Sequence, residues 1–150
     1  MSAVIGADLA HLGVFAAVRM GDVATARRLR DAIDQASPGR RNEADAMAGD
    51  AGIATLEGRT ADARALYLQA LRTLRELGLR TWLGIRTLDA HASGTLDTDE
   101  HRRAGDEARD IFTSLRAQGL LELLDALAMP SPETGKPSRA GAASAAEVRG

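Results

Sequence analysis

A nine-residue frame recurs along this chain. "GDVATARRL" at 21–29 and "GRTADARAL" at 58–66 both read Gly-polar-x-Ala-x-Ala-Arg-x-Leu, 37 residues apart. A third echo, Ala108-Arg109-Asp110-Ile111, stands where Ala63-Arg64-Ala65-Leu66 stood, after a step of 45 residues. Ahead of each copy lies another apolar helical stretch, at 3–20, 43–57 and 80–93. A unit of helix, tight turn and helix with a period in the thirties describes stacked helix pairs, each burying its apolar side against its neighbours.

The stretch 58–78 is the most regular. Ala63, Tyr67, Ala70, Leu74 and Leu77 follow one another at alternating steps of four and three, and Leu66 and Leu71 widen the stripe. That spacing is one face of an α-helix, with Thr60 expected as N-cap and Gly78 just past the C-terminus. Composition agrees: apolar residues make up 45%, yet aromatics only 3%. Ile, Val and Thr are scattered without a period-2 run, so the core is expected to be close-packed helices and not a sheet. The fold class read from the chain is all-α.

With no cysteine, disulfides and thiolate metal sites are excluded, which fits a reducing compartment. Apolar runs fall well short of the roughly 20 residues of a membrane span. The first twenty residues lack a basic leader and carry Asp8 and His11, so no signal peptide is read there, and the cytoplasm is expected. The texture changes at Pro130. Three of the four prolines, Pro130, Pro132 and Pro137, lie in 130–150, where Val148 is the only bulky apolar residue. That segment is expected to be a disordered tail. Its formal charge is +1 (Lys136, Arg139 and Arg149 against Glu133 and Glu147), which leaves −3 of the total −2 on the body.

These residues resemble the tetratricopeptide repeat (TPR). Its consensus sets Gly-Asp at the turn, a small residue five positions on, an aromatic four later and Ala three beyond. The second pair supplies Gly58, Ala63, Tyr67 and Ala70 in that order; the first supplies Gly21, Asp22 and Ala26, with Arg30 and Ile33 at the last two places. The third supplies Ala108 and Phe112, with Arg103 at the turn. Trp82 stands at the start of the third pair, where the family often has a large residue packed between repeats, although an exposed binding role suits it too. The resemblance implies a short right-handed solenoid of antiparallel helix pairs. Six to seven helices are expected in a domain spanning 1–129: pairs at 3–36, 43–78 and 80–119 and a capping helix at 120–128. From Leu77-Gly78 onward, through "GTLDTDE" at 94–100, Glu107 to Phe112 and "LLELLDALA" at 120–128, the chain looks like the closing repeats of bacterial LuxR-type regulators and adenylate/guanylate-cyclase-like ATPases.

The chain carries no recognised catalytic pattern. "ETGKPS" at 133–138 lacks the first glycine of a phosphate-binding loop and has Pro137 after the lysine. His11, His91 and His101 have no metal-ligand spacing. "DTDEHRR" at 97–103 lacks a calcium-loop pattern and reads better as Asp97, Thr98, Asp99 and Glu100 capping the next helix. The arginines of 27–30 and 39–41 are interleaved with Asp22, Asp31, Asp34 and Glu43, which favours local charge pairing over nucleic-acid binding. No enzyme activity, cofactor or metal is expected.

The function expected is a protein–protein interaction module, a scaffold or adaptor of a bacterial signalling or regulatory system. Two alternatives are a detached C-terminal sensor segment of a LuxR-type regulator or cyclase-like ATPase, and a direct nucleic-acid-binding regulator. The resemblance implies a partner groove lined by the first helix of each pair, which maps to His11, Phe15, Val18, Arg19, Asp45, Ala48, Gly52 and Thr55. Phe15 fits either a groove anchor or a core residue. Gly21, Ala26, Gly58, Ala63, Tyr67, Ala70, Trp82, Ala108 and Phe112 are the expected packing positions. The first helix is apolar almost all round and lacks a polar capping face, so association through 3–18 is expected, with a second copy or with further repeats.

Overall fold

A computed structural model describes residues 2–34 and 38–128, the side chains of 2–8 and 34 excepted. The end of the first pair at 35–36, the expected tail at 130–150 and the Gly-Lys motif at 133–138 lie outside the described residues. Among the described residues there are seven α-helices and no strand: α1 (Ser2–Arg19), α2 (Val23–Asp34), α3 (Arg40–Leu56), α4 (Thr60–Glu76), α5 (Arg80–Ala92), α6 (Thr98–Ser114) and α7 (Gln118–Ala128). None of them is long and apolar enough to cross a membrane.

The turns explain where each helix stops. At Gly58 (φ +75°) the chain adopts the left-handed conformation, the Gly58 N–H donates to Thr55 O (3.1 Å) and the Arg59 N–H to Ala54 O (2.9 Å). These two bonds satisfy carbonyls that the end of α3 would otherwise leave open. The same pair of bonds closes α1 at Gly21 and α4 at Gly78. Arg116 (φ +54°) takes this position after α6, with the Ala117 N–H donating to Phe112 O at 2.9 Å. Arg59, not Thr60, is the N-cap residue of α4 and makes no side-chain cap bond; Thr60 is already helical. The tight closure of α3 returns the chain to helix within three residues. By contrast α6 begins with a full capping box, in which Asp97 accepts from the Glu100 N–H (2.9 Å) and Glu100 accepts from the Asp97 N–H (3.1 Å).

Three helix pairs, α1–α2, α3–α4 and α5–α6, pack along their lengths; α3 also touches α1, α2 and α5, while α7 lies on α6. The residues of α3 explain its central place. Nine of its residues are buried, most of them Ala or Gly, so neighbouring helices approach closely. A Cβ at Gly52 would stand 2.9 Å from Val18 Cγ1 of α1, and one at Gly49 would stand 3.1 Å from Val14 Cγ1. The main core joins Tyr67, Leu71 and Leu74 of α4 to Leu83 and Leu88 of α5, Ile111 and Phe112 of α6 and Leu124 of α7.

Among the expected packing positions, Ala26, Ala63, Ala70, Ala108 and Phe112 are wholly buried, and Tyr67 nearly so. Gly21 and Gly58 are exposed at turns, and half-buried Trp82 packs against the core with the Arg41 guanidinium 4.1 Å from its ring. The arginine clusters pair across helices: Arg27 with Glu57, Arg30 with Asp50 (2.9 Å) and Arg40 with Glu76 (2.6 Å). Further along, Arg64 reaches Glu100 (2.7 Å) and Arg75 reaches Glu107 (2.6 Å), which ties α4 to α6.

Candidate functional site

Where α1, α3 and α5 meet, a polar cluster sits inside an otherwise apolar interior. Arg86 of α5 is fully buried; its Nε donates to Asp45 Oδ1 of α3 (2.9 Å) and its Nη1 to Asp89 Oδ2 one turn along α5 (3.0 Å). Its Cζ lies over the Phe15 ring of α1, 3.2 Å from the centroid. Arg41 Nε approaches the other Asp45 oxygen at 3.6 Å. Removing a guanidinium from water costs several kcal/mol, which charge-assisted hydrogen bonds and an aromatic face offset here. Two arginines meet two aspartates, so the cluster is neutral, and it binds all three helices to one another.

Above this cluster is a cavity of about 290 Å³. Phe15 and Val18 of α1, Leu56 of α3, Ala92 of α5 and Leu127 of α7 supply its apolar walls. Arg19, Thr55, Tyr67, Asp89 and Ser93 supply its polar groups. Burial pushes the Asp89 carboxyl above the ordinary carboxylate value, against the opposing pull of Arg86 and then of Arg19. Burial, and then the charge of Asp89, push the Tyr67 hydroxyl well above its usual value, so Tyr67 stays protonated. Arg19 is exposed on the cavity's edge.

The structure separates the expected groove residues into two sets. Phe15, Val18, Arg19 and Thr55 share the cavity. His11, Asp45, Ala48 and Gly52 are buried between helices: Asp45 in the ion cluster, Gly52 against Val18. Sequence reasoning missed Arg86 below the cavity and Asp89 on its lining, and Leu56 and Leu127 on its walls. A signal for the first two was present. Trp82, Arg86 and Asp89 follow one another at steps of four and three, so the charges fall on the same helix face as a large aromatic.

A second feature lies between α5 and α6. The His91 and His101 rings stack 3.8 Å apart at 22°, with His91 Nδ1 3.0 Å from the His101 carbonyl. Burial lowers the His91 pKa below the usual histidine value, partly offset by that hydrogen bond. No group of three metal-ligating side chains occurs among the described residues.

Comparisons with protein-family models, with curated proteins and with solved structures found no match.

Proposed function

We propose that this chain is a TPR-like solenoid acting as a protein–protein interaction module, with the first helix of each pair lining the working groove. Equivalent turns at Gly21 and Gly58, and fully buried alanines at 26, 63 and 108 in matching places, support the repeat reading. The observation that carries the functional reading is the shared cavity of Phe15, Val18, Arg19 and Thr55. Two separate helices bring these four residues to one apolar hollow, and the Arg86 cluster beneath keeps the helices in register. A rigid, concave, mostly apolar surface with a few polar groups is what a partner's side chain needs for anchoring.

The charges around the groove define the partner's chemistry. Arg41 and Arg86 balance Asp45 and Asp89 in the cluster beneath, which leaves exposed Arg19 as the unbalanced charge at the cavity's edge, on a body of formal charge −3. A partner segment with one bulky apolar side chain beside an acidic residue complements this surface. Nucleic acid is the weaker reading, because Arg27, Arg30, Arg40, Arg64 and Arg75 are already paired with carboxylates. In the resembled family such modules serve signalling and regulatory assemblies, and that is the setting proposed here, without catalysis by this chain.

Affinity capture of the tagged chain from its source cells tests the proposal, with Leu56→Arg as the groove variant and Arg72→Glu on the outer helix α4 as control. Leu56 is 37% exposed, so the arginine blocks the cavity without filling the core. A stoichiometric partner held by wild type and Arg72→Glu, and lost with a folded Leu56→Arg, is expected. A partner retained by Leu56→Arg contradicts the groove reading.

A further inference from the structure

Most polar groups of the cavity already have partners. Thr55 Oγ1 donates to Ala51 O (2.9 Å), Ser93 Oγ donates to Ala90 O (2.7 Å), and Asp89 accepts from Arg86 Nη1 (3.0 Å). The Tyr67 hydroxyl interacts with Thr55. Arg19 differs: it is exposed at the rim and makes no ion pair or hydrogen bond among the described residues, acting on Asp89 only through space. Its guanidinium is therefore the set of donors that the cavity still offers. We propose that the cavity binds a free, medium-chain apolar carboxylic acid, with its tail among Phe15, Val18, Leu56 and Leu127 and its carboxylate on Arg19. The site shares its cavity with the groove reading, but it takes a different occupant and needs no protein partner.

Size sets the tail. At the roughly 30 Å³ that one water occupies in the liquid, a cavity of about 290 Å³ has room for about ten non-hydrogen atoms. An eight-carbon acid has that many, and its chain leaves water for walls of aliphatic and aromatic carbon. Charge sets the head. Arg41 and Arg86 balance Asp45 and Asp89, so one positive charge is left over, on Arg19. A carboxylate neutralises it and accepts the paired N–H groups of the guanidinium. An ammonium head would instead meet Arg19 and Arg86, with Asp89 already committed to Arg86. A neutral amide keeps the shape of the acid and loses the charge-assisted bond.

Thiol protection tests the site. The chain has no cysteine, and Ala92 is exposed on the cavity's lining, so Ala92→Cys places a single reactive thiol there. Leu12→Cys, at a position 51% exposed on α1 and outside the cavity lining, is the control. Octanoate, below the concentration at which it self-associates, is expected to slow alkylation of the full-length Ala92→Cys chain and to leave Leu12→Cys unaffected. Octanamide is expected to need a concentration about tenfold higher for the same protection, and octylamine to give none. No protection by octanoate overturns the inference. Equal protection at positions 92 and 12 also overturns it, because the acid then coats apolar surface in general. Octylamine or octanamide protecting as well as octanoate overturns the role of Arg19 and the inference with it. The two readings of the cavity fail separately. A partner captured through Leu56 without protection by octanoate ends this inference alone. Protection by octanoate with a partner retained by Leu56→Arg ends the groove reading alone.

Discussion

Arg86 and Phe15 are in face-on contact: the guanidinium carbon of one is 3.2 Å from the ring centroid of the other, and both are buried. An aromatic of α1 thus lies over a cation of α5 that is itself held by α3. The cluster has no solvent to fall back on, so removing one member leaves the others uncompensated. Arg86→Met is expected to destabilise the fold by about 3–5 kcal/mol, because Asp45 and Asp89 then remain as buried charges. The sign of its pH dependence follows. Asp89, whose folded pKa is raised by burial above the unfolded value near 3.8, favours the folded state at low pH and weakens it as pH rises through the folded pKa. Urea unfolding of Arg86→Met is therefore expected to show a smaller deficit relative to wild type at pH 4.5 than at pH 7.

Gly84 and Gly119 are predicted to respond oppositely to alanine. A Cβ at Gly84 would stand 2.7 Å from Ile111 Cγ2 and 2.9 Å from Phe112 Cε1, both in buried side chains, while nothing lies within 4 Å at Gly119. Overpacking at Gly84 outweighs the helix-propensity gain, and Gly84→Ala is expected to lose about 1–2 kcal/mol. Gly119→Ala is expected to gain up to about 0.5–1 kcal/mol. Thermal melts of the two variants check the signs.

Arg116 occupies a left-handed position that glycine fills at 21, 58 and 78. A side chain there costs about 1–2 kcal/mol, part of which glycine returns as greater freedom when unfolded. Arg116→Gly is expected to raise the Tm by about 2–4 °C.

The His91–His101 stack makes stability sensitive to mild acid. His91 has its pKa lowered by burial, so the unfolded chain binds the proton more readily. The stability is fully present above the ordinary histidine value of about 6.5 and is lost as pH falls through the lower folded value. Arg102, Asp106 and Arg109 line the same hollow, and the neighbouring His101 adds to burial in disfavouring a positive charge on His91. Unfolding free energy is expected to fall between pH 7.5 and 5.5 in wild type, and to fall less in His91→Gln.

The all-helical fold was legible because its determinants are local. The stripe Ala63–Tyr67–Ala70–Leu74 and the turn glycines at 21, 58 and 78 each specify their element from within a few residues. The pairing of charges was not. Arg27, Arg64 and Arg75 find their acids 30, 36 and 32 residues away, a relationship set by how helices stack and not by any neighbouring residue. The cavity was legible by half for the same reason. The resemblance to the repeat family assigned Phe15, Val18, Arg19 and Thr55 to the groove face, but how deep each one lies depends on side-chain size. Small Ala48 and Gly52 let α1 settle onto α3 and close the space beside them. Arg86 was overlooked because a charged residue on an apolar face reads as a solvated one until its partner from another helix is in place.

The most direct test of the groove is photo-cross-linking in the source cells, with a photoreactive residue at position 56 on the cavity wall or at position 72 on the outer surface of α4. A discrete cross-linked protein from position 56 and none from position 72 is the predicted result. Cross-linking at position 72 with none at position 56 contradicts the account.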